Sequence, residues 1–429
     1  MSVKIPKNVL KTIAGLEKAG FEAYIVGGCA RDLIMGNKPK DWDITTSARP
    51  EEILKIFPES VYENQFGTVG VKMKNKEDEE TTEIIEVTTY RIESKYSDKR
   101  HPDKIKFAKT LEEDLSRRDF TINAMAIKIS NFSIQKEFVL SGQSLISNKI
   151  SKFKTVKNYK LIDLYGGQRD IKNKIIQAVG KAEDRFNEDA LRMMRAVRFA
   201  VTLNFEIEEK TKNAIKEKAK NLKYISQERI RDELEKIILS DYPTRGIEIL
   251  HQTGLLWSII PEIEASYGVM QNRHHYYGPY NTVYKHLLAS LEKCPSKKLG
   301  VRLAALLHDI GKPKVKKGEG EKATFYNHEY VGARMVEKIL ERLKFPRDII
   351  EKVTLLVKNH MFYYNVDEVG EAGVRRIIKK VGLENIHDLI DVRIADRLGS
   401  GVPKAVPYKL RHFKYMVEKV SQDAISVKQ

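Results

Sequence analysis

The sequence contains no run of 18 apolar residues, so no membrane-spanning helix is expected. Cysteine is nearly absent: Cys29 and Cys294 are the only two, far apart in the chain. They cannot build a disulfide framework, and a reducing, cytoplasmic setting is expected. Met1 to Lys11 has lysines but no apolar core and no small-residue cleavage site, so a secretory leader is not expected. Internal repeats and low-complexity tracts are missing too. Negative charge falls short: 76 Lys and Arg stand against 59 Asp and Glu, a formal net charge of +17. That excess favours an anionic partner. Nucleic acid fits better than a membrane, since no basic amphipathic anchor stands out.

What is present is a globular composition, 41% hydrophobic and 31% charged over 429 residues, too long for a single core. Apolar spacing predicts a helix over 8–18, then strands over 23–26 and 42–45. Ser47 reads as an N-cap, with Pro50 in the first turn of a helix reaching Phe57. The stretches 67–74 and 83–89 are β-rich and complete a small mixed sheet. Residues 91–107 are polar and charged, a candidate mobile loop. The pattern over 115–129 reads as helical, 130–160 as an insertion, and the chain after Asp163 as mostly helical, with one long helix over 184–203.

Four groups of residues carry chemistry. Tyr24-Ile-Val-Gly-Gly-Cys-Ala-Arg-Asp32 reads as a strand, a glycine turn and a short helix, followed by Asp41-Trp42-Asp43 on a strand. Alternate strand residues share a face, so Asp41 and Asp43 would present paired carboxylates to magnesium ions in a phosphoryl transfer. Gly27 and Gly28 let phosphate approach the backbone, and Arg31 can add a bidentate contact. Asp-x-Asp alone is common; its placement after the glycine turn gives it weight. Second, Arg118, Asp119 and Asn123 lie in Arg117-Arg-Asp-Phe-Thr-Ile-Asn123. Read as one helix face, they could hold ribose and triphosphate oxygens.

Third, Asp189, Arg192, Arg195 and Arg198 step by three along a predicted helix. A carboxylate accepts hydrogen bonds and a guanidinium donates them. A fixed Asp189–Arg192 pair would match the amino and ring-nitrogen edges of cytosine and adenine and reject guanine and uracil. A surface ion pair has the same spacing. Fourth, six of the ten histidines fall between His274 and His360. His286, His308, Asp309 and Asp396 match the ligand types of a metal-dependent phosphohydrolase, and His328 and His360 could complete a second metal site. The His274-His-Tyr-Tyr277 run reads equally well as aromatic packing.

From Gly27 to about Pro261 the chain resembles the bacterial class II CCA-adding enzymes (tRNA nucleotidyltransferases) and related poly(A) polymerases. The resemblance rests on VGGCARD, DWDI, EVTTYR, EDLSRRDFTINAMA, LIDLYGGQRDI and RFNEDALRMMRAVRFA, in that order. From Gln271 the chain resembles an HD-domain phosphohydrolase. The family implies an α+β architecture: a polymerase-β-like nucleotidyltransferase head over 1–150, then all-α parts. These are a base-reading neck over 151–205, a tRNA-binding body over 206–270 and an HD domain over 271–429. It implies magnesium at Asp41 and Asp43, with Glu86 a possible third carboxylate. It also implies triphosphate contacts from Gly28 and Arg31, ribose contacts from Arg118, Asp119 and Asn123, and base reading by Asp189 and Arg192, with Arg195 and Arg198 nearby. The HD ligands would take a transition metal or magnesium. The implied partners are tRNA, CTP and ATP, with monomer and homodimer both open. Addition of CC alone, A alone or poly(A) remains an alternative, as does a metal phosphohydrolase with an RNA-binding head.

Overall fold

In the computed structural model the described residues are 3–62, 67–75, 78–94, 104–129, 153–156, 158–271, 281–366, 368–401 and 408–426. The chain divides into two compact units, residues 1–192 with 206–214, and residues 193–205 with 215–429.

The first unit is built on a seven-stranded sheet in the spatial order Tyr159–Asp163, Met125–Ile129, Ala23–Val26, Asp43–Thr46, Asp78–Thr89, Thr68–Asn75, Val61–Tyr62. Only the pairing of Asp43–Thr46 with Asp78–Thr89 is parallel, and it sets Asp43 beside Glu86. The helix Lys7–Lys18 buries Val9, Leu10, Ile13 and Leu16, the apolar stripe expected from their spacing. With Ile25, Ile44, Val87 and Ile127 these form the larger core on one side of the sheet. Tyr24, Val26, Tyr90, Leu111 and Leu115 form a smaller core apart from it.

Several local expectations are corrected. Residues 115–129 do not form one helix. The chain runs as helix Leu111–Ser116, a single 3-10 turn Thr121–Asn123, and strand Met125–Ile129. The Thr121 amide donates to Gln177 O at 2.9 Å, and Phe120 bridges Ala178, which draws the backbone out of the helical path. The strand that follows lies between two others with Met125, Ala126 and Ile127 all buried, so it lacks the alternation that marks a half-buried strand. Asp119 and Asn123 therefore do not share a helix face. The N-cap expected at Ser47 falls at Arg49, whose amide donates to Glu52 Oε2 at 2.7 Å, while Ser47 Oγ accepts from the Glu22 amide at 2.9 Å.

The sheet also reaches past residue 150, into the segment expected as an all-α neck. Tyr159–Asp163 pairs with Met125–Ile129, Tyr159 and Leu161 facing one core and Ile162 the other, a period of two. The long helix expected over 184–203 is two, Ala182–Glu188 and Leu191–Thr202, broken at Asp189, whose extended backbone (φ −137°, ψ 107°) interrupts the helical path. The expected insertion falls largely outside the described residues, as do residues 95–103 of the candidate mobile loop and the run His274 to Tyr277.

The second unit is helical. Leu299–Leu307 is apolar nearly all round and almost wholly buried, as a central helix must be. Helices Val283–Glu292, Arg347–Asn359 and Leu383–Gly399 pack against it. His308 caps its C-terminal end.

Candidate nucleotide site and candidate metal centre

In the first unit the strand Ala23–Val26 ends at Gly27 with φ +78°, a conformation that disfavours any side chain. A Cβ there would lie 3.1 Å from Arg118 Nη1 and 3.5 Å from Asp43 Oδ2. Glycine thus lets an arginine and a carboxylate close on the turn. Cys29, buried at the start of helix Gly28–Ile34, donates Sγ–H to Val26 O at 3.0 Å and receives the Asp43 amide at 3.4 Å, tying turn to strand. Burial pushes the Asp43 carboxyl up; the Arg118 charge pulls it down and the Asp41 carboxylate adds to the rise. Asp41 is exposed and precedes the strand. Glu86 is exposed beside Asp43 in register, which places the carboxylate suggested by the sequence on the neighbouring strand.

Arg31, Asp119 and Asn123 meet despite the corrected backbone. Arg31 Nη1 donates to Asn123 Oδ1 at 2.8 Å, and Asn123 Nδ2 to Asp119 Oδ1 at 3.2 Å. Arg118 Nη2 is held by Asp114 at 3.2 Å, while its Nε is buried with no partner among the described residues. A buried guanidinium donor without a partner fits a site that receives an anion's oxygens.

Asp189 stands in the break between helices, its Oδ1 accepting from the Leu191 amide at 3.0 Å. Arg192 Nη1 donates to Glu188 Oε2 at 2.6 Å and Nη2 to Arg117 O at 3.0 Å. Glu188 also receives Arg185 Nη2 at 2.5 Å. The four-residue row expected on one helix face is not found, because Asp189 precedes the helix. Arg195 and Arg198 fall in the second unit, where Arg198 Nε meets Glu233 Oε2 at 2.7 Å and its guanidinium lies 4.0 Å from the Phe199 ring centre, Arg195 5.4 Å.

In the second unit all six expected ligands converge. His286 Nε2 lies 3.3 Å from Asp309 Oδ2, 3.2 Å from Asp396 Oδ1 and 3.0 Å from His308 Nε2. His328 Nε2 lies 3.1 Å and His360 Nε2 3.7 Å from Asp309 Oδ1, and 3.3 Å from each other. Asp309 therefore belongs to two triads, one with His286 and His308, the other with His328 and His360. Among the described residues, no other three His, Cys, Asp or Glu side chains bring ligand atoms within 4.8 Å of one another.

Three of these imidazoles are anchored through Nδ1 on backbone carbonyls: His308 on Ala305 at 2.9 Å, His328 on Phe325 at 2.8 Å and His360 on Val357 at 2.7 Å. Each such bond makes Nδ1 the N–H and aims Nε2 inward, the outer support that metal-binding histidines receive. The donor set fits divalent ions. Gly311, just after Asp309, has no room for a side chain, since a Cβ would come within 2.3 Å of His328 O.

Residues not singled out in the sequence complete the centre. Lys312 Nζ lies 2.6 Å from Asp309 Oδ2 and 2.7 Å from Gln271 Oε1, and Arg393 Nη1 2.9 Å from Asp396 Oδ2. Burial opposes ionisation of Asp309 and Asp396, yet Lys312 and His308 hold the first, and His286 and His308 the second, well below the usual range. Burial likewise opposes the His308 charge, but Asp309 and Asp396 push it up to about 10. A cavity of about 780 Å³ opens on Asp309, His328, His360 and Asp396, walled by Lys312, Tyr326, Arg393 and Arg397.

Three family models match the chain: Poly A polymerase head domain over residues 23–177, Probable RNA and SrmB- binding site of polymerase A over 204–267, and HD domain over 283–400. The chain thus carries, in order, segments that match a polymerase head domain, an RNA-binding segment and an HD domain. Over 256 residues the chain is 43% identical to the CCA-adding enzyme of Lactobacillus helveticus, covering 59% of this chain and 55% of that protein. It is 42% identical over 265 residues to that of Lactococcus lactis subsp. cremoris MG1363, covering 61% and 58%. The chain spans about half the length of these curated relatives. The crystal structure of the Bacillus stearothermophilus CCA-adding enzyme in complex with CTP matches 97% of this chain and 81% of that one, with 28% identity and a TM-score of 0.63. The chain is thus similar to CCA-adding enzymes over its first part and carries an HD domain after it.

Proposed function

We propose that this protein adds CCA to the 3′ end of tRNA from CTP and ATP without a template. The observation that carries this reading is the convergence of Asp43 and Arg118 on Gly27, next to the Arg31–Asn123–Asp119 chain. Supporting it are relatives named CCA-adding enzymes. The tRNA 3′-hydroxyl attacks the α-phosphate in line and pyrophosphate leaves. Arg31 and Arg118 hold the triphosphate, Gly28 lets it approach the backbone, and Asp119 and Asn123 face the ribose. Asp189 and Arg192 read the base edge, Arg192 being aimed by Glu188. Arg195 and Arg198 support the neck helix. Asp41 and Asp43 would hold magnesium, which would supply charge neutralisation at the phosphate. The functional division we propose is a head over 1–150, whose sheet runs on to Asp163, a neck over 151–205, a tRNA-binding body over 206–270 and an HD domain over 271–429. The setting is cytoplasmic.

A tRNA lacking its terminal CCA, incubated with CTP, ATP or both, tests this on a sequencing gel. Extension by three nucleotides that then stops is expected, with GTP and UTP unused. Arrest after CC, addition of A alone or a long A tail moves the chain to a sister activity. No extension refutes the reading of the head.

The HD centre carries a second activity, hydrolysis of phosphoesters. His286, His308, Asp309 and Asp396 would hold one transition-metal or magnesium ion, and His328 and His360, with Asp309 shared, a second. Such ions polarise the ester and acidify water. Because His308 keeps its proton up to about 10 in the metal-free protein, binding must release it. Metal affinity, read by calorimetry, is expected to tighten about tenfold per pH unit above neutrality, levelling near that value.

A further inference from the structure

Asp114, on helix Leu111–Ser116, is wholly buried, and the reading above leaves it without a role. Its two oxygens gather groups from separate parts of the first unit. Oδ1 accepts from Arg117 Nε at 3.1 Å and Nη2 at 2.8 Å, and from the Arg91 amide at 3.4 Å. Oδ2 accepts from Arg118 Nη2 at 3.2 Å and Thr45 Oγ1 at 3.3 Å. Thr45 follows Asp43 by two on the same strand and shares its face. Arg91 opens the hairpin that pairs with Lys104–Phe107. Arg118 is the residue whose Nη1 closes on Gly27, with its Nε unpartnered among the described residues.

One buried carboxylate therefore ties the strand of Asp43, the root of the hairpin and both arginines. A guanidinium fixed at one nitrogen by a buried anion, with its Nε unpartnered among the described residues, meets a ligand without first losing rotamer freedom. We infer that Asp114 is a positioning residue that aims Arg118 at the triphosphate of the incoming nucleotide and keeps the hairpin root in register with the Asp43 strand. The inference rests on the nucleotidyl-transfer reading. A purely structural Asp114 would serve only to cap and brace its short helix.

The test is Asp114→Asn in the full chain, assayed by single-nucleotide addition to tRNA. Asparagine keeps the shape but loses the charge and one acceptor. The KM for CTP and for ATP is expected to rise about tenfold together, while the KM for tRNA stays within about twofold. In an Arg118→Met background the same substitution is expected to add no further rise, because its effect passes through Arg118. Effects that multiply in the double variant overturn the inference. So does a lowered melting temperature with unchanged nucleotide KM. If the asparagine variant does not accumulate folded, Asp114→Glu gives the same comparison: a nucleotide-KM rise that vanishes with Arg118→Met supports the inference, and its absence overturns it. Failure of the unaltered chain to extend tRNA would instead refute the nucleotidyl-transfer reading.

Discussion

Asp43→Asn is expected to lower nucleotide addition by about 10³-fold or more, roughly 4 kcal/mol of lost transition-state stabilisation, while phosphoester hydrolysis by the HD unit is unchanged. The same substitution should not lower the melting temperature. Burial raises the Asp43 carboxyl above its ordinary range, with Arg118 only partly opposing it. A carboxyl whose folded pKa is raised disfavours the native state once pH passes the unfolded value, so at neutral pH its charge costs stability. Asparagine removes that cost. Activity that collapses while stability holds or rises is the mark of a group kept for chemistry. Addition that survives in the asparagine variant, or falls only in step with unfolding, would sink the role given to Asp43. A single gel and a calorimetric scan on the same preparation settle both.

The legible part of this sequence was its local chemistry. The strand at 23–26, the glycine turn and the strand opening at Asp43 are contiguous, so short-range pattern suffices for them, whereas Asp41, expected on that strand, lies before it. The HD ligands come from distant points, yet four of the six residue positions sit at helix ends or next to them. His308 and His360 cap two helices, Asp309 follows the first cap, and His328 starts a third helix. A histidine at the close of an apolar helix was therefore a usable signal, whereas Asp396 lies inside its helix, three residues short of the end. What escaped was decided by tertiary pairing. Met125–Ile129 is a strand because neighbours pair with both its edges, and its composition alone reads as helix. Asp189 breaks a helix that periodicity runs straight through. Asp114, Glu188 and Gln271 were missed for a different reason. Each acts by holding another side chain, close in the chain for Asp114 and Glu188 and far along it for Gln271, and in sequence such a carboxylate or amide looks like surface decoration.

Asp309→Asn is expected to do the opposite of Asp43→Asn on both counts. It should reduce hydrolysis by about 10³-fold or more, leave addition intact, and lower stability. Lys312 is 5% exposed and its ammonium lies 2.6 Å from Asp309. Asparagine keeps the shape but strands that charge beside Gln271, and breaking one side of a buried pair costs about 3–5 kcal/mol. For a unit of this size the melting temperature of the chelated protein should fall by roughly 10 °C. The sign follows from the ionisation of Asp309. Burial opposes it, but Lys312 and His308 hold its carboxyl well below the usual range, so its stabilisation is present above the unfolded pKa and disappears as pH drops through the folded one. The gap between the chelated proteins should accordingly narrow in acid. Adding a divalent ion should widen it at neutral pH, because an ion that binds the native state raises the melting temperature of the unaltered chain by mass action. The variant, lacking the one carboxylate common to both triads, should gain little. Equal gains in the two proteins would mean that Asp309 binds no metal and that its role in this unit is the pair with Lys312 alone.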